Sequence, residues 1–413
     1  MANKDTEVEE GTVDAPDWLD AMLIEDALHR LGDKNVHVQR VSVRMAAAAG
    51  DHFGSALYRV RAHLAAGEDG AAGERWLLVK APPLAAAVAQ SVAEAGLFRR
   101  ETAMLARLLP QMQALLEEVE PAGAAGAALS ARCPLHGATP VEFLVLEDLR
   151  PQGFRMAERR AGLGLRHALC AVRSLARFHA ASHALLKRDP AAARGLDNPL
   201  REQSGAFDHF FTDAIQAAAN ACRSWPGYEQ YAASLETFKE TAVSKITELH
   251  DAKLGEFNVI LHGDFWINNI MYHYNSNGKP KETRFVDFQI SHVASPALDL
   301  LYLLSTSLSD DVSENHCGLL LREYHAALRR TLALLGLEAP SLEELMRHMQ
   351  EHGPYAVYGA TVLLPIMKAK KVTDVGAALE GDAGAGAHAF RDEEVRRWLQ
   401  RLIPDFKRRG WLP

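Results

Sequence analysis

Cysteine is scarce in this chain, and the four that occur, Cys133, Cys170, Cys222 and Cys317, lie far apart with no CxxC pair. That spacing suggests neither a disulfide framework nor a cysteine-based zinc site, and it suits buried or free thiols in a reducing compartment. The N-terminus, MANKDTEVEEGTVDAPDW, lacks a basic n-region followed by an apolar core, so no signal peptide is expected. No N-x-[ST] acceptor occurs. No apolar run is long enough to span a membrane. The best late stretch, 355–367, is roughly half a span and contains Pro365, which favours a buried, kinked helix. Basic residues are outnumbered, 45 against 53 acids, and a net charge of −8 argues against a nucleic-acid partner. No G-x-x-x-x-G-K-[ST] occurs, which argues against a P-loop enzyme. The expected compartment is the cytoplasm.

What remains is a chain of 413 residues, 48% of them hydrophobic, long enough for two lobes with a sizeable core. Residues 1–16 are acidic and aperiodic and are expected to be disordered. Leu19, Met22, Leu23, Ala27, Leu28 and Leu31 recur at helical spacing, and Gly32 ends that helix. Tyr58, Val60, Ala62 and Leu64 alternate with polar residues as in a half-buried strand. WLLVK (76–80) reads as its partner across the turn AAGEDGAAGE. A helix through Phe98, Glu101 and Leu105 follows, then the low-complexity stretch 121–131 and a short apolar strand at 141–146. Beyond Pro151 the pattern turns helical. Leu165, Ala168, Leu169, Val172, Leu175, Ala176 and His179 mark one face of a long helix. More helical pattern fills 205–250, and two short strands, 258–261 and 283–287, interrupt it before the helical remainder. Strands first and helices later make the class α+β in two lobes rather than alternating βαβ.

The chemistry concentrates in VILHGDFWINNIMYHY (259–274) and RFVDFQISH (284–292). Asp264 and Asn269 lie five positions apart, and Asp287 sits at the end of the next short strand. Phosphoryl transfer to a hydroxyl needs one carboxylate to orient the acceptor and take its proton. It also needs an amide oxygen and a second carboxylate to hold Mg²⁺ on the ATP phosphates. Either piece alone is common, since an aspartate ending a strand is often a turn former. Their combination makes Asp264 the candidate base and Asn269 and Asp287 the candidate metal ligands. Asn268 is the neighbouring alternative to Asn269. His262 reads as a loop brace or, alternatively, a metal ligand. A lysine for the α/β-phosphates and a helical glutamate to hold it should lie upstream. Lys80 ends a strand, and Glu101, or alternatively Glu94, lies in the following helices. GDHFGS (50–55), with Gly54 and Ser55, offers small residues whose N–H groups can approach phosphates.

HGDFWINNI, FVDFQIS, LVLEDLRPQGFRMAERRAGLGL and LARFHAAS together resemble the ecdysteroid kinase-like family, also called CHK kinase-like, from Trp18 to the C-terminus. That family is similar to choline kinases and aminoglycoside phosphotransferases. The resemblance implies a bilobal protein-kinase-like fold, with an N-lobe antiparallel sheet plus helices and a larger helical C-lobe. The corresponding boundaries are an ATP-binding N-lobe at 17–146, a linker at 147–152 and a C-lobe at 153–413. It implies ATP and Mg²⁺ as cofactors, Asp264 as base, Asn269 and Asp287 as magnesium ligands, Lys80 as the ATP-binding lysine and Glu101 as its ion-pair partner. VLEDL, with Glu147 and Leu149, matches the linker whose backbone meets adenine, and Asp299 matches an aspartate bracing the loop. Relatives carry Asn-Tyr-(Ala/Gly)-Ser where this chain has His52, Phe53, Gly54 and Ser55.

The implied acceptor is a small-molecule alcohol, first an ecdysteroid at its 22-hydroxyl. A detoxification kinase for xenobiotic alcohols is the alternative. A nucleotide-binding pseudokinase scaffold, the reading from another class, predicts loss of Lys80, Asp264, Asn269 or Asp287, and all four are present. No A-P-E segment follows Asp287, against a protein kinase. Phe210, Phe211, Trp225, Tyr228 and Tyr358 are candidates either for the acceptor pocket or for the core.

Overall fold

The computed structural model describes residues 16–46, 55–65, 73–83, 86–119, 128–138, 141–201, 205–368 and 389–413. Outside the described residues lie 1–15, Gly54 with most of the 50–55 segment, most of the AAGEDGAAGE turn and most of 121–131. The chain divides into two compact units. One comprises Met1–Glu94 and Ala131–Gln152, the other Ala95–Ser130 and Gly153–Pro413. The helices that follow Glu94, read from sequence with the strands, therefore group with the second unit.

In the first unit, helix α1 (Ala21–Leu31) starts where Asp20 accepts the Leu23 N–H at 2.8 Å and stops at Gly32, whose φ of 110° suits glycine. Its buried face, Ile24, Ala27 and Leu28, lies on an antiparallel sheet. The strands are β1 (Val38–Met45), β2 (Ala56–Leu64), β3 (Glu74–Ala81), β4 (Leu135–Gly137) and β5 (Phe143–Glu147), in the order β1-β2-β3-β5-β4. Val43, Tyr58, Val60, Leu77, Val79 and Val145 supply the apolar face that α1 covers. The β2–β3 register puts Leu57 opposite Lys80, so Ser55 and Lys80 lie at one end of this hairpin. Arg59 and Asp148 form a buried ion pair at 2.8 Å, tying β2 to the segment just past β5. Helix α2 (Ala86–Glu94) closes this part of the chain.

In the second unit, α3 (Leu97–Ala103), a π-helical turn (Met104–Leu108) and α4 (Leu109–Val119) run on without a break. A short strand β6 (Phe154–Met156) precedes α5 (Leu165–Arg188), which buries the face expected from its periodicity. Helices α6 (Gly205–Ser224) and α7 (Glu229–Leu249) pair with each other. Strand β7 (Val259–Ile260) follows, then the hairpin β8 (Ile270–Tyr274) and β9 (Pro280–Phe285), then β10 (Val293–Ala294). These build a β6-β8-β9 sheet and a small β7-β10 pair. The helical remainder is α8 (Ala297–Thr306), α9 (Asp310–Asn315), α10 (Cys317–Leu334), α11 (Leu342–Glu351), α12 (Pro354–Tyr358), α13 (Leu364–Lys368) and α14 (Glu393–Arg409). A π-helical segment, Gly359–Leu363, joins α12 to α13 directly ahead of Pro365. The expected irregularity thus takes the form of a widened turn, which accommodates a residue with no N–H and a bulky ring. Among the described residues no helix is long and apolar enough to cross a membrane.

Behind β7 and β10 lies a group of buried histidines. His250 and His292 stack with ring centroids 5.2 Å apart, Tyr355 meets His250 edge-on, and His352 stands near His250. Each Nδ1 donates to a backbone carbonyl, of Ile246, Ile290 and His348 respectively. Burial is the main reason their pKa values fall from 6.5 to about 3 for His250, about 4 for His292 and about 4 for His352. Below pH 6.5 the unfolded chain therefore binds protons that the native state refuses, so these groups make stability rise with pH. We expect stability to fall as pH drops from 6.5 towards 4, by up to about 2 kcal/mol per histidine at pH 5. Urea denaturation across that window checks this, with His352→Asn expected to flatten the slope. An unchanged slope in that variant would count against the account.

Candidate functional site

The site is built on the stretch between β7 and β8. Leu261 donates its N–H to the His292 carbonyl at 2.8 Å, which continues the β7–β10 pairing for one more residue. The chain then turns sharply. The backbone N–H groups of His262 and Gly263 both donate to the carboxylate of Asp299, at 2.8 and 2.9 Å. A third donor, His179 Nε2, reaches the same carboxylate at 3.0 Å, which leaves Nδ1 to accept from the Tyr324 hydroxyl at 2.8 Å. Asp299, His179 and Tyr324 are all buried. Burial alone would push the Asp299 carboxyl up, but His179 and the backbone N–H groups outweigh it and hold the pKa below its usual value. Gly263 has φ 86°, and a Cβ there would stand 2.4 Å from the Ile290 carbonyl oxygen, so the turn admits glycine alone.

This clamp presents Asp264. Its Oδ1 accepts from the Tyr302 hydroxyl at 2.6 Å and its Oδ2 from the Asn269 amide at 2.7 Å. Asn269 also donates to the Asp264 carbonyl at 2.9 Å, so its amide oxygen is the polar atom left for another partner. Burial pushes the Asp264 pKa up to about 6. The Tyr302 hydrogen bond opposes the rise, the charge of Asp287 adds to it, and the Asn269 hydrogen bond again opposes it. A carboxylate so placed is ionised at neutral pH yet more basic than an ordinary aspartate. Ile267 is fixed by donating its N–H to Ser307 Oγ at 3.0 Å, and a short 3₁₀ turn, Ile267–Asn269, delivers the chain into β8.

The β8–β9 hairpin returns the chain to the site. Asn275 closes its turn by accepting from the N–H groups of Asn277 and Lys279, each at 3.0 Å. Past the end of β9, Val286 donates its N–H to the Asn269 carbonyl at 3.1 Å and accepts from His262 Nε2 at 3.0 Å. His262 is fully buried and braces the two segments. Asp287 follows with φ 69°, the one non-glycine residue of positive φ among those described. Such a backbone, which disfavours most side chains, is a recurring mark of functional positions. Asp264, Asn269 and Asp287 are thus gathered by one set of backbone contacts. The remaining donor set is an amide oxygen and a carboxylate, hard oxygens of the kind Mg²⁺ takes when phosphates and water complete its shell. Among the described residues no group of three or more His, Cys, Asp or Glu assembles into a denser metal site.

The other expected positions fall in both units. In the first, Lys80 is buried in β3 and Ser55 is buried at the start of β2. Glu147 ends β5 with its carboxylate on Arg132 and Gln152, at 3.1 and 2.9 Å, and Leu149 is buried. In the second, Glu101 is buried in α3, whereas Glu94 is an exposed residue of α2 bonded to Gln90. From Tyr302 a run of aromatic rings leads away from Asp264. Centroids step from Tyr302 to Tyr355 at 6.1 Å, to Tyr358 at 5.6 Å, to Phe211 at 4.9 Å and to Phe210 at 5.9 Å. Trp225 and Tyr228 belong to another group, packed with Arg396 and the Gln400 carbonyl of α14. Sequence reasoning missed Tyr302, Tyr324 and the role of His179. Only Tyr302 had a signal: it follows Asp299 by three residues in a helix, which places both on one face.

A sequence model of the ecdysteroid kinase-like family matches residues 49–337. Comparison with curated proteins gives no match. Among solved structures, the chain is similar to choline kinase from Cryptosporidium parvum Iowa II, at 12% identity and TM-score 0.50, over 94% of this chain and 97% of that one. It is also similar to Plasmodium vivax ethanolamine kinase, at 11% identity and TM-score 0.39, over 87% and 84%. A choline/ethanolamine kinase family protein from Mesorhizobium loti matches at 13% identity and TM-score 0.38, over 89% and 90%. At these identities the first likeness speaks to the fold, a bilobal α+β protein-kinase-like one.

Replacing Asp299 by alanine orphans two buried backbone N–H groups and the His179 ring. We expect Asp299→Ala to lose about 3 kcal/mol or more of stability and to speed hydrogen exchange at the amides of His262 and Gly263. A loss below about 1 kcal/mol in urea denaturation would remove Asp299 from this role.

Proposed function

Since the chain belongs to the ecdysteroid kinase-like family, and is a small-molecule kinase of that family, we propose that it transfers the γ-phosphoryl group of ATP to an alcohol hydroxyl. The first acceptor to test is the 22-hydroxyl of an ecdysteroid. The observation that carries the reading is the Asp264 carboxylate, fixed on one oxygen by Tyr302 and on the other by Asn269, in a turn held rigid by Asp299. Asp264 orients the acceptor hydroxyl and takes its proton as the oxygen attacks. Its raised pKa suits that task near neutral pH. Tyr302 and Asn269 restrict the carboxylate to one orientation, so the hydroxyl is aligned before it reacts.

Asn269 and Asp287 would hold Mg²⁺, which neutralises charge on the phosphates when bound. Lys80 binds the α/β-phosphates, Glu101 serves the lysine, and Gly54 and Ser55 approach the phosphates through backbone N–H groups. The backbone of Glu147 and Leu149 meets adenine. The Tyr302, Tyr355, Tyr358 and Phe211 rings are buried against one another, so they support the Asp264 site as core packing.

Asp264→Ala and Asp287→Asn should each lower ATP-dependent phosphorylation by about 100-fold or more while circular dichroism is unchanged, asparagine being accommodated at the left-handed backbone of position 287. The assay follows labelled ATP with ecdysone, 20-hydroxyecdysone, choline and simple phenols. Near-wild-type turnover in either variant would sink the site assignment. Phosphorylation of phenols but not ecdysteroids would replace the hormone acceptor with a xenobiotic one.

A further inference from the structure

The buried tyrosines of the second unit differ in what their hydroxyls do. Tyr324 donates to His179 at 2.8 Å, Tyr272 to the His167 carbonyl at 3.5 Å, and Tyr302 to Asp264 at 2.6 Å. Tyr355 and Tyr358 are buried too, keeping 4% and 6% of their surface, yet neither hydroxyl forms a hydrogen bond among the described residues. Nor is either oxygen among the fully enclosed polar atoms that lack a partner, so the surface these two residues keep includes the hydroxyl. A buried tyrosine ordinarily finds a partner for its hydroxyl, because leaving it dry and unpaired is costly. Two neighbouring hydroxyls left open point to a partner that the chain does not supply.

Both hydroxyls belong to the neighbourhood of Asp264. The Tyr355 and Tyr358 rings lie nearly parallel, 16° apart with centroids at 5.6 Å, and Tyr355 stands 6.1 Å from Tyr302, whose hydroxyl is on Asp264 Oδ1. Burial raises the pKa of both hydroxyls, and the charge of Asp264 reaches both and raises each further. Asp264 itself is only half-buried, so a molecule that reaches its carboxylate comes within range of them. The ring faces are not open in the same way. Tyr355 meets Tyr302, Tyr358 and His250, and Tyr358 meets Phe211 edge-to-face at 4.9 Å. A cation is recognised over an aromatic face, whereas a hydroxyl is recognised by hydrogen bonds. With faces packed and hydroxyls open, these two residues suit a neutral polar group and not an ammonium. A tyrosine hydroxyl both donates and accepts, which matches another hydroxyl.

We propose that Tyr355 and Tyr358 are specificity residues of the acceptor site, an inference that rests on Asp264 being the base. Their hydroxyls bind a second hydroxyl of the acceptor, close to the one that Asp264 deprotonates. The substrate class is then a neutral diol or polyol, not a lone alcohol or a cationic one. The bond from the γ-phosphorus to ADP breaks as the bond to the first hydroxyl oxygen forms, and the proton of that hydroxyl goes to Asp264. Tyr355 and Tyr358 only hold the second hydroxyl. Two anchored hydroxyls stop the acceptor from turning about a single contact, so the second one serves alignment as well as affinity. An acceptor without it leaves the tyrosine oxygens unpaired in a site it has dried, and a polar pocket rejects the less polar analogue for that reason.

The test uses two matched pairs that differ by one hydroxyl beside the reacting one: 20-hydroxyecdysone against ecdysone, and cis-cyclohexane-1,2-diol against cyclohexanol. Calorimetric binding to the full chain and kcat/KM with MgATP are both measured, for the wild type, Tyr355→Phe, Tyr358→Phe and the double variant. We expect the diol to be favoured about tenfold or more in at least one pair, and the preference to disappear in the double variant, with most of the loss in KM. Phenylalanine keeps each ring and removes no hydrogen bond within the chain, so urea denaturation should show no loss of stability. A lowered stability would mark the hydroxyls as structural and overturn the proposal. So would no saturable binding of either diol, no preference for the diol in either pair, a preference untouched by the double variant, or choline turned over better than both diols. Diols that bind selectively through these tyrosines without being phosphorylated would leave the second-hydroxyl contact standing and remove the phosphotransfer reading instead.

Discussion

The carboxylate of Asp299 is the constraint from which the second unit takes its order. It is buried, it is ionised, and it is surrounded by donors from two places in the chain: the turn at His262 and Gly263, and the middle of α5 through His179. A buried charge is tolerated only when its acceptor capacity is used, and here the partners that satisfy it also fix the turn that presents Asp264. Remove the charge and the turn has no reason to hold its shape. Remove the turn and the charge has no reason to be buried. Gly263 makes the arrangement possible by letting the backbone pass within reach of both Asp299 and the Ile290 carbonyl.

Much of this was legible in the chain itself, for a physical reason. Periodicity records which face of an element is buried, so β2, β3 and α5 could be read from apolar spacing, and α1 too, although its expected face took in the exposed Met22 and left out the buried Ile24. The grouping of Asp264, Asn269 and Asp287 was legible because all three sit within a single turn-and-hairpin segment, where separation in sequence limits separation in space. The π-helical segments were not legible, since one extra residue per turn leaves no clear mark on an apolar pattern. Nor was strand β1, whose alternation is weak, with Val38 and Val43 as its fully buried positions. Tyr324 was hidden for a different reason. Its partner His179 is 145 residues away, and no local rule joins positions so far apart.

The aromatic series from Tyr302 to Phe210 illustrates the limit of composition as a guide. Five aromatic residues were singled out because they cluster in the helical part of the chain, yet packing sorts them into two sets. Phe210, Phe211 and Tyr358 join the rings that begin at Asp264. Trp225 and Tyr228 instead anchor α14 through Arg396 and the Gln400 carbonyl. All five are aromatic; what differs is where they stand, Phe210 and Phe211 on α6 and Tyr358 on α12, Trp225 and Tyr228 in the α6–α7 turn.

The left-handed backbone at Asp287 restricts how this chain can change over time. At φ 69° a β-branched or bulky side chain meets its own carbonyl, whereas aspartate, asparagine and glycine are accommodated. A descendant released from selection for chemistry is still bound by that geometry, because the Val286 backbone next to it holds Asn269 and His262 in place. Its position 287 can therefore drift to asparagine or glycine with the fold intact, and not readily elsewhere. A relative that has kept the architecture and given up the reaction would carry one of those two residues as the trace of it.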